Sequence, residues 1–346
     1  MEEGLTPRQM AKGLLNGIPP SRPLFLPIVF SLGARVENVS LGMFLSNPTK
    51  ISSSLRQMRS HLRVDGVACY FHPHLEVEAL GATLQSIAEG QPPGLLWPQS
   101  APKGELPEGL RSPEQAVQGG RIPVAVEVIR RMNSLANRDF LLMAAVTGPL
   151  TLAAQISGLD RREKGRGECL SISVQGFAAS VLTGVTTAFL QAGADLIVIL
   201  EEILPAQSAE SYDSWVNLLA PTINVIRFYE ALPVIQLTNA QGVLDHWTTI
   251  FQQQWDCVVS LPAAAMTLRH REGSLETCSA KLGISLPLEA FRPERSGGKD
   301  ELTFRPLGIP RCRYSIITTA GDIPPTTDMK CLLRIFGEVP RTFSNR

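Results

Sequence analysis

The chain has 346 residues, 44% hydrophobic and 18% charged, an ordinary globular composition that suits one large α/β barrel or two medium domains. Lys and Arg number 32 and Asp and Glu number 32, a formal net charge of +0 that offers no field for wrapping nucleic acid or docking on an anionic membrane. Both kinds of partner are disfavoured.

The opening MEEGLTPRQMAKGLLNG is acidic and then amphipathic, without the basic start, apolar middle and small-residue cleavage site of a secretory leader. No uninterrupted apolar run approaches the roughly 18–20 residues that span a bilayer. The cysteines (Cys69, Cys169, Cys257, Cys278, Cys312 and Cys331) are scattered with no C-x-x-C pair, which fits buried thiols better than a disulfide framework. The compartment expected from these features is the cytoplasm.

After an N-terminal helical extension over residues 1–21, short apolar runs recur: LFLPIVF (24–30), GVACYF (66–71), LLMAAVTG (141–148), LIVILEE (196–202), LPVIQLT (232–238), DCVVSLP (256–262), LGISLP (282–287) and YSIITTAG (314–321). Nearly continuous apolar runs are the pattern of strands buried on both faces. Between them lie helical segments. Residues 173–193 carry small and apolar residues at helical spacing and end on a glycine, residues 207–230 open on Ser208 as N-cap, and LLRIFGEV is amphipathic near the end. Two stretches, 91–115 and 291–310, are Pro- and Gly-rich and read as loop insertions. Eightfold strand–helix alternation predicts a (β/α)₈ TIM barrel over 22–340, in one domain with the extension; a doubly wound open sheet is the rival, and the strand count favours the barrel.

Four local matches, in this order along the chain, resemble the uroporphyrinogen decarboxylase superfamily. EVEALG (76–81) is similar to an "EAEALG" element of its methyltransferases, and VTGPLTLAAQISG (146–158) to a "GP-x-T-L" turn after the third strand. FLQAGADLIVILEE (189–202) resembles a helix–strand unit ending in an acid, and GDIPPTT (321–327) a "GCxIPPxTP" end. The resemblance runs from about Arg22 to Val339. The superfamily contains haem-pathway decarboxylases and corrinoid-dependent methyltransferases that move a methyl group to a thiol. It implies chemistry at the C-terminal ends of barrel strands, where the βα loops converge.

Several of those strand ends depart from the family pattern. His72, in YFHPHLEVEALG, stands where both branches place an Asp. The zinc-binding His-x-Cys pair of the thiol-alkylating methyltransferases falls on Gln236 and Thr238, and their third ligand, a Cys, falls near Gly321. Amide and hydroxyl oxygens are poor zinc ligands beside thiolate and imidazole, so no zinc is expected. The decarboxylases' Arg-rich "RQAGR" loop is replaced by VFSLGARVEN, with Arg35 as candidate remnant, and their Asp after the sixth strand is Pro262.

The candidate catalytic residues are His72 and Glu201. His72 reads either as half of an H-x-H metal pair with His74 or as a hydrogen-bonding pocket group. Glu201 ends an apolar strand, where a buried carboxylate needs a partner or a place at the mouth. Gln236, Thr238 and Asn239 are candidates for orienting a polar ligand; Glu76 and Glu78 either serve a helix N-terminus or line the pocket. The basic loop 158–168 reads as a solvated charge run or a contact for an anionic partner. The resemblance implies methyl transfer from a methylcorrinoid carried by a partner protein to an acceptor other than a zinc thiolate. The alternatives are a decarboxylase or lyase of a tetrapyrrole or small acid, a non-catalytic ligand-binding barrel, and a metal hydrolase using His72 and His74.

Overall fold

In the computed structural model, residues 5–85, 94–97, 105–135, 139–158, 170–252, 255–271, 281–291 and 314–343 are described. Each apolar run supplies a strand: β1 (Leu24–Phe25), β2 (Gly66–Tyr70), β3 (Leu141–Thr147), β4 (Leu196–Glu201), β5 (Leu232–Leu237), β6 (Val258–Pro262), β7 (Leu282–Leu286) and β8 (Ile316–Thr319). All seven pairings are parallel, in the order β1-β8-β7-β6-β5-β4-β3-β2. Apart from β1 and β2, which stand at the two ends of that order, sequence neighbours are sheet neighbours, and the first strand sits beside the last. That is a nearly closed (β/α)₈ barrel, and the doubly wound alternative is set aside.

The seam between β1 and β2 is carried by Asp65. Its backbone N–H donates to the Phe25 carbonyl at 3.0 Å, and its carboxylate accepts from the Phe25 N–H at 2.8 Å. Arg22 grips the same carboxylate through both terminal nitrogens, at 2.6 and 2.7 Å. Next in sequence, Gly66 lets the two strands approach, because a Cβ there would lie 2.8 Å from Leu26 Cδ2. The first apolar run is expected as a strand over 24–30, and the regular strand ends at Phe25. Leu26 N–H still donates to Ile317 (2.8 Å), but Pro27 has no N–H, and Ile28 N–H turns to the Thr319 hydroxyl (2.9 Å).

Two apolar cores result. One fills the shell between strands and helices. The other fills the lumen with alternate strand residues such as Leu141, Met143, Leu196, Val198, Leu232 and Val234. Met10, Ala11 and Leu14 of the helix Pro7–Leu15 belong to this inner cluster, so the N-terminal extension plugs the barrel floor. Thr6 starts the plug with a capping box to Gln9, and Pro7 occupies the first turn.

Helix Ile172–Ala192 is, among the described residues, the one long and apolar enough to cross a membrane. It lies in the outer layer against helices Ile122–Asn133, Pro149–Ile156 and Ala209–Phe228, burying Val174, Val181, Val185 and Phe189. The stretch 91–115, expected as loop, contains more structure: Gly94–Leu96 pairs antiparallel with Thr83–Gln85, and Ser112 caps a helical turn, Pro113–Ala116. The expected insertion beyond Phe291 and the basic loop from residue 159 lie outside the described residues.

Leu14 is 3% exposed in the plug. Leu14→Ala is expected to cost about 2–4 kcal/mol, read as a lowered urea midpoint.

Candidate functional site at the strand ends

Alternation along β4 decides where Glu201 points. Leu196, Val198 and Leu200 pack into the lumen cluster, so Ile197, Ile199 and Glu201 face the helical shell. There the Glu201 carboxylate is fully buried and meets the start of helix Pro149–Ile156. It accepts from the N–H of Thr151 (2.7 Å) and of Leu150 (3.3 Å), from the Thr151 hydroxyl and from the Trp215 indole N–H (3.2 Å). The Thr151 oxygen in turn accepts from the N–H of Glu202 (2.8 Å) and Ile203 (3.2 Å). The N-cap residue, Gly148, has no side chain, and the Glu201 carboxylate accepts from the first free N–H groups of the helix in its place, where the helix dipole favours negative charge. Gly148 makes room, since a Cβ there would sit 2.5 Å from Glu201 Oε2. Burial outweighs these hydrogen bonds and pushes the Glu201 carboxyl up to about 7.

Glu76 grips the same turn from the other side. It is 1% exposed and accepts from the Thr147 N–H (2.9 Å) and hydroxyl (2.8 Å); burial raises its pKa as well. The segment Thr147–Thr151 is therefore held between two buried glutamates.

The end of β2 carries a more accessible cluster. Glu78, one helical turn from Leu75, pairs with Arg121 through Oε2, at 2.8 Å from Nε and 2.6 Å from Nη2. Arg121 Nη2 also lies 3.3 Å from His72 Nε2, while His72 Nδ1 accepts from the His74 N–H at 3.3 Å. Burial first, then the charge of Arg121, pushes the half-buried His72 ring down to about 3, so it stays neutral at ordinary pH. Beneath it Tyr70 donates to the Leu45 carbonyl at 2.8 Å. Arg121 is a site residue that the sequence reading misses. Its signal is the preceding Gly119-Gly120 pair. A Cβ on Gly119 would lie 2.2 Å from the Ala79 carbonyl oxygen, and Gly120 has φ +50°; only such a close backbone approach delivers the arginine to the His-Pro-His loop.

At the opposite rim the side chains are neutral. Gln236 is fully buried and spans the lumen from β5 to β8: its amide N–H donates to the Thr319 carbonyl (2.9 Å) and its oxygen accepts from the Thr318 hydroxyl (2.7 Å). Thr238 donates to the Glu201 carbonyl at 3.4 Å, and Asn239 caps helix Ala240–Asp245 by accepting from Gly242 N–H at 2.9 Å. Arg35 donates to the carbonyls of Pro325 (2.7 Å) and Thr327 (2.9 Å), fastening the GDIPPTT loop. Asp322 of that loop, also missed from sequence, accepts from the N–H of Phe30 (2.7 Å) and Ser31 (2.9 Å), and desolvation pushes it up to about 6.

The candidates thus fall into three places: His72 and Glu78 with Arg121 on the β2 rim, Glu76 and Glu201 buried around one turn, and Gln236, Thr238, Asn239 and Arg35 committed to backbone or lumen partners. Among the described residues no group of three His, Cys, Asp or Glu side chains is placed to hold a metal. At the zinc positions implied by the resemblance, an amide spent on two threonines and a lone hydroxyl do not fit that ion.

A plugged barrel with its polar groups gathered at the C-terminal strand ends defines the class. The model of the uroporphyrinogen decarboxylase (URO-D) family matches residues 7–258, and the chain belongs to that family. No curated protein sequence matches it. Among solved structures, a methyltransferase from Methanosarcina mazei is 16% identical, with a TM-score of 0.69, and the match covers 99% of this chain and 100% of that one. A Listeria monocytogenes protein assigned as a vitamin-B12-independent methionine synthase is 11% identical, with a TM-score of 0.47, over 95% and 99% of the two chains. These likenesses concern the fold.

Glu201 titrates at about 7 in the folded chain against an ordinary 4.5, so its protonated form adds stability that is complete below about pH 4.5 and is lost as pH rises through about 7. Denaturant midpoints measured across that window are expected to fall more steeply for the wild type than for Glu201→Gln.

Proposed function

We propose that this chain is a corrinoid-linked methyltransferase of the URO-D family that handles its methyl acceptor without zinc. The observation that carries the reading is Gln236. Where the resemblance places the first ligand for a zinc-activated thiol, this side chain is buried and both ends of its amide are spent on Thr318 and Thr319. The whole-length likeness to a methyltransferase supports the branch. The commitment of Arg35 to two loop carbonyls supports it against a polycarboxylate substrate, because that remnant of an arginine-rich loop already has partners.

In this scheme a methylcorrinoid, carried by a partner protein, supplies the methyl group. The chain's own residues bind and orient the acceptor on the β2 rim. His72, held neutral, presents a ring nitrogen there, and Arg121 and Glu78 fix its surroundings. Glu201 acts at one remove: sealed from solvent, it holds the Thr147–Thr151 turn in place rather than exchanging protons with a ligand.

The test mixes the purified chain with methylcobalamin and a panel of amine, phenol and thiol acceptors, following the methylcobalamin absorbance and the methylated product. Turnover is expected to survive chelators and to fall about tenfold in His72→Ala, the loss of one hydrogen bond of about 1.4 kcal/mol. Chelator-sensitive turnover with bound zinc would overturn the zinc-free reading. Release of carbon dioxide from a tetrapyrrole or small acid, without methyl transfer, would replace it with the lyase that the family's namesake activity suggests.

A further inference from the structure

Strand parity divides the top layer of the lumen into two unlike arcs. Met143 belongs to the inner cluster while Ala144 and Val146 belong to the shell, so Ala145 faces the lumen, as Leu200 does after Val198. Phe71, just past β2, also packs on the inner cluster. Tyr70 pairs with Ala144 and Thr147 with Leu200, so the three side chains stand on the neighbouring strands β2, β3 and β4. All three are partly exposed, whereas Met143 and Val198, one layer deeper, are only 1% exposed. Solvent therefore reaches them from the mouth. Across the ring, Gln236, Ser260, Ser285 and Thr318 are buried and bonded to one another or to strand carbonyls.

The open arc is thus apolar and the polar arc is closed, which suits a ligand that buries hydrocarbon there. Ala145 is the smallest of the three side chains and leaves a recess between Leu200 and Phe71, whose ring is the aromatic wall. A ring set against Phe71, offset or edge-on, gains more than an aliphatic group of equal area. The nearby acids do not supply a charge in the recess. Glu201 lies on the shell face, and Glu76 is spent on Thr147. Glu202, the next residue beyond β4, adds a carboxylate past the strand end that opposes an anionic occupant. We infer that Phe71, Ala145 and Leu200 form a seat for an uncharged aromatic ring on the molecule this mouth binds. The inference rests on the reading that the acceptor meets the β2 rim, which Phe71 adjoins, and it names the part of the acceptor that is buried.

The experiment uses the full chain with ¹³C-methyl-labelled leucine, the Leu200 methyl signals being assigned by their loss in Leu200→Val. Benzyl alcohol is expected to shift those methyls saturably through its ring current and to leave the deeper lumen leucines, Leu141 and Leu232, unmoved. Cyclohexylmethanol, of similar size without the aromatic ring, and benzoate, with the ring and a charge, are each expected to bind more weakly. Ala145→Phe is expected to fill the recess and abolish the response to benzyl alcohol. Should that variant fail to fold, Ala145→Leu is expected to weaken it. No saturable shift at Leu200, equal shifts at Leu141 and Leu232, equal or tighter binding of either comparison compound, or an unchanged response in a folded Ala145 variant would overturn the seat. The readout is binding alone, so absent methyl transfer with the seat intact counts only against the proposed activity.

Discussion

A nearly closed ring of parallel strands leaves backbone N–H groups pointing out of its ladder wherever a strand begins or ends, and buried donors must be met. In this barrel carboxylates meet them. At the floor, Asp65 accepts from Phe25 N–H and Asp195 from Leu142 N–H (2.8 Å), each backed by an arginine from the N-terminal segment, Arg22 and Arg8. At the mouth, Glu76, Glu201 and Asp322 do the same for Thr147, Thr151, Phe30 and Ser31. Each carboxylate ties one strand's end to its neighbour's loop, so the ring's closure and the shape of its rim rest on the same interaction.

The two ends differ in how that charge is balanced. Floor carboxylates have guanidinium partners, while those at the mouth rely on amide, hydroxyl and indole donors. Removing a carboxylate from water without a cation raises its pKa, and all three mouth groups shift upward. The mouth therefore carries the more costly arrangement. Neutral lumen groups, Gln236 with Thr318 and Ser260, close the β5–β8 side, and the charged Arg121–Glu78 pair stands on the β2 side. Polarity is thus unevenly distributed around the rim.

The barrel was legible because burial on both faces writes itself into composition: eight near-continuous apolar runs, spaced by helices with recognisable caps such as Ser208 and Gly193, admit few other architectures. The GP-x-T-L turn was legible too, since a glycine and a proline at a strand-to-helix junction have local causes. The roles of Glu201 and Gln236 were not. Each ends an apolar strand, and one residue of register separates the lumen from the helical shell; Glu201 falls on the outer side and Gln236 on the inner. Arg121 lies 49 residues from the histidine it meets, brought there by two glycines passing the Glu78–Ala79 backbone.

The amino-acid sequence by itself determined the ring of strands, the N-terminal extension, the family and the loss of thiolate and imidazole at the zinc positions, because these follow from side-chain identity and short-range periodicity. Only the tertiary structure decided which carboxylates serve the backbone, which amide spans the lumen and which arginine faces His72. Those outcomes depend on strand parity and on approaches between distant segments, which no local pattern encodes.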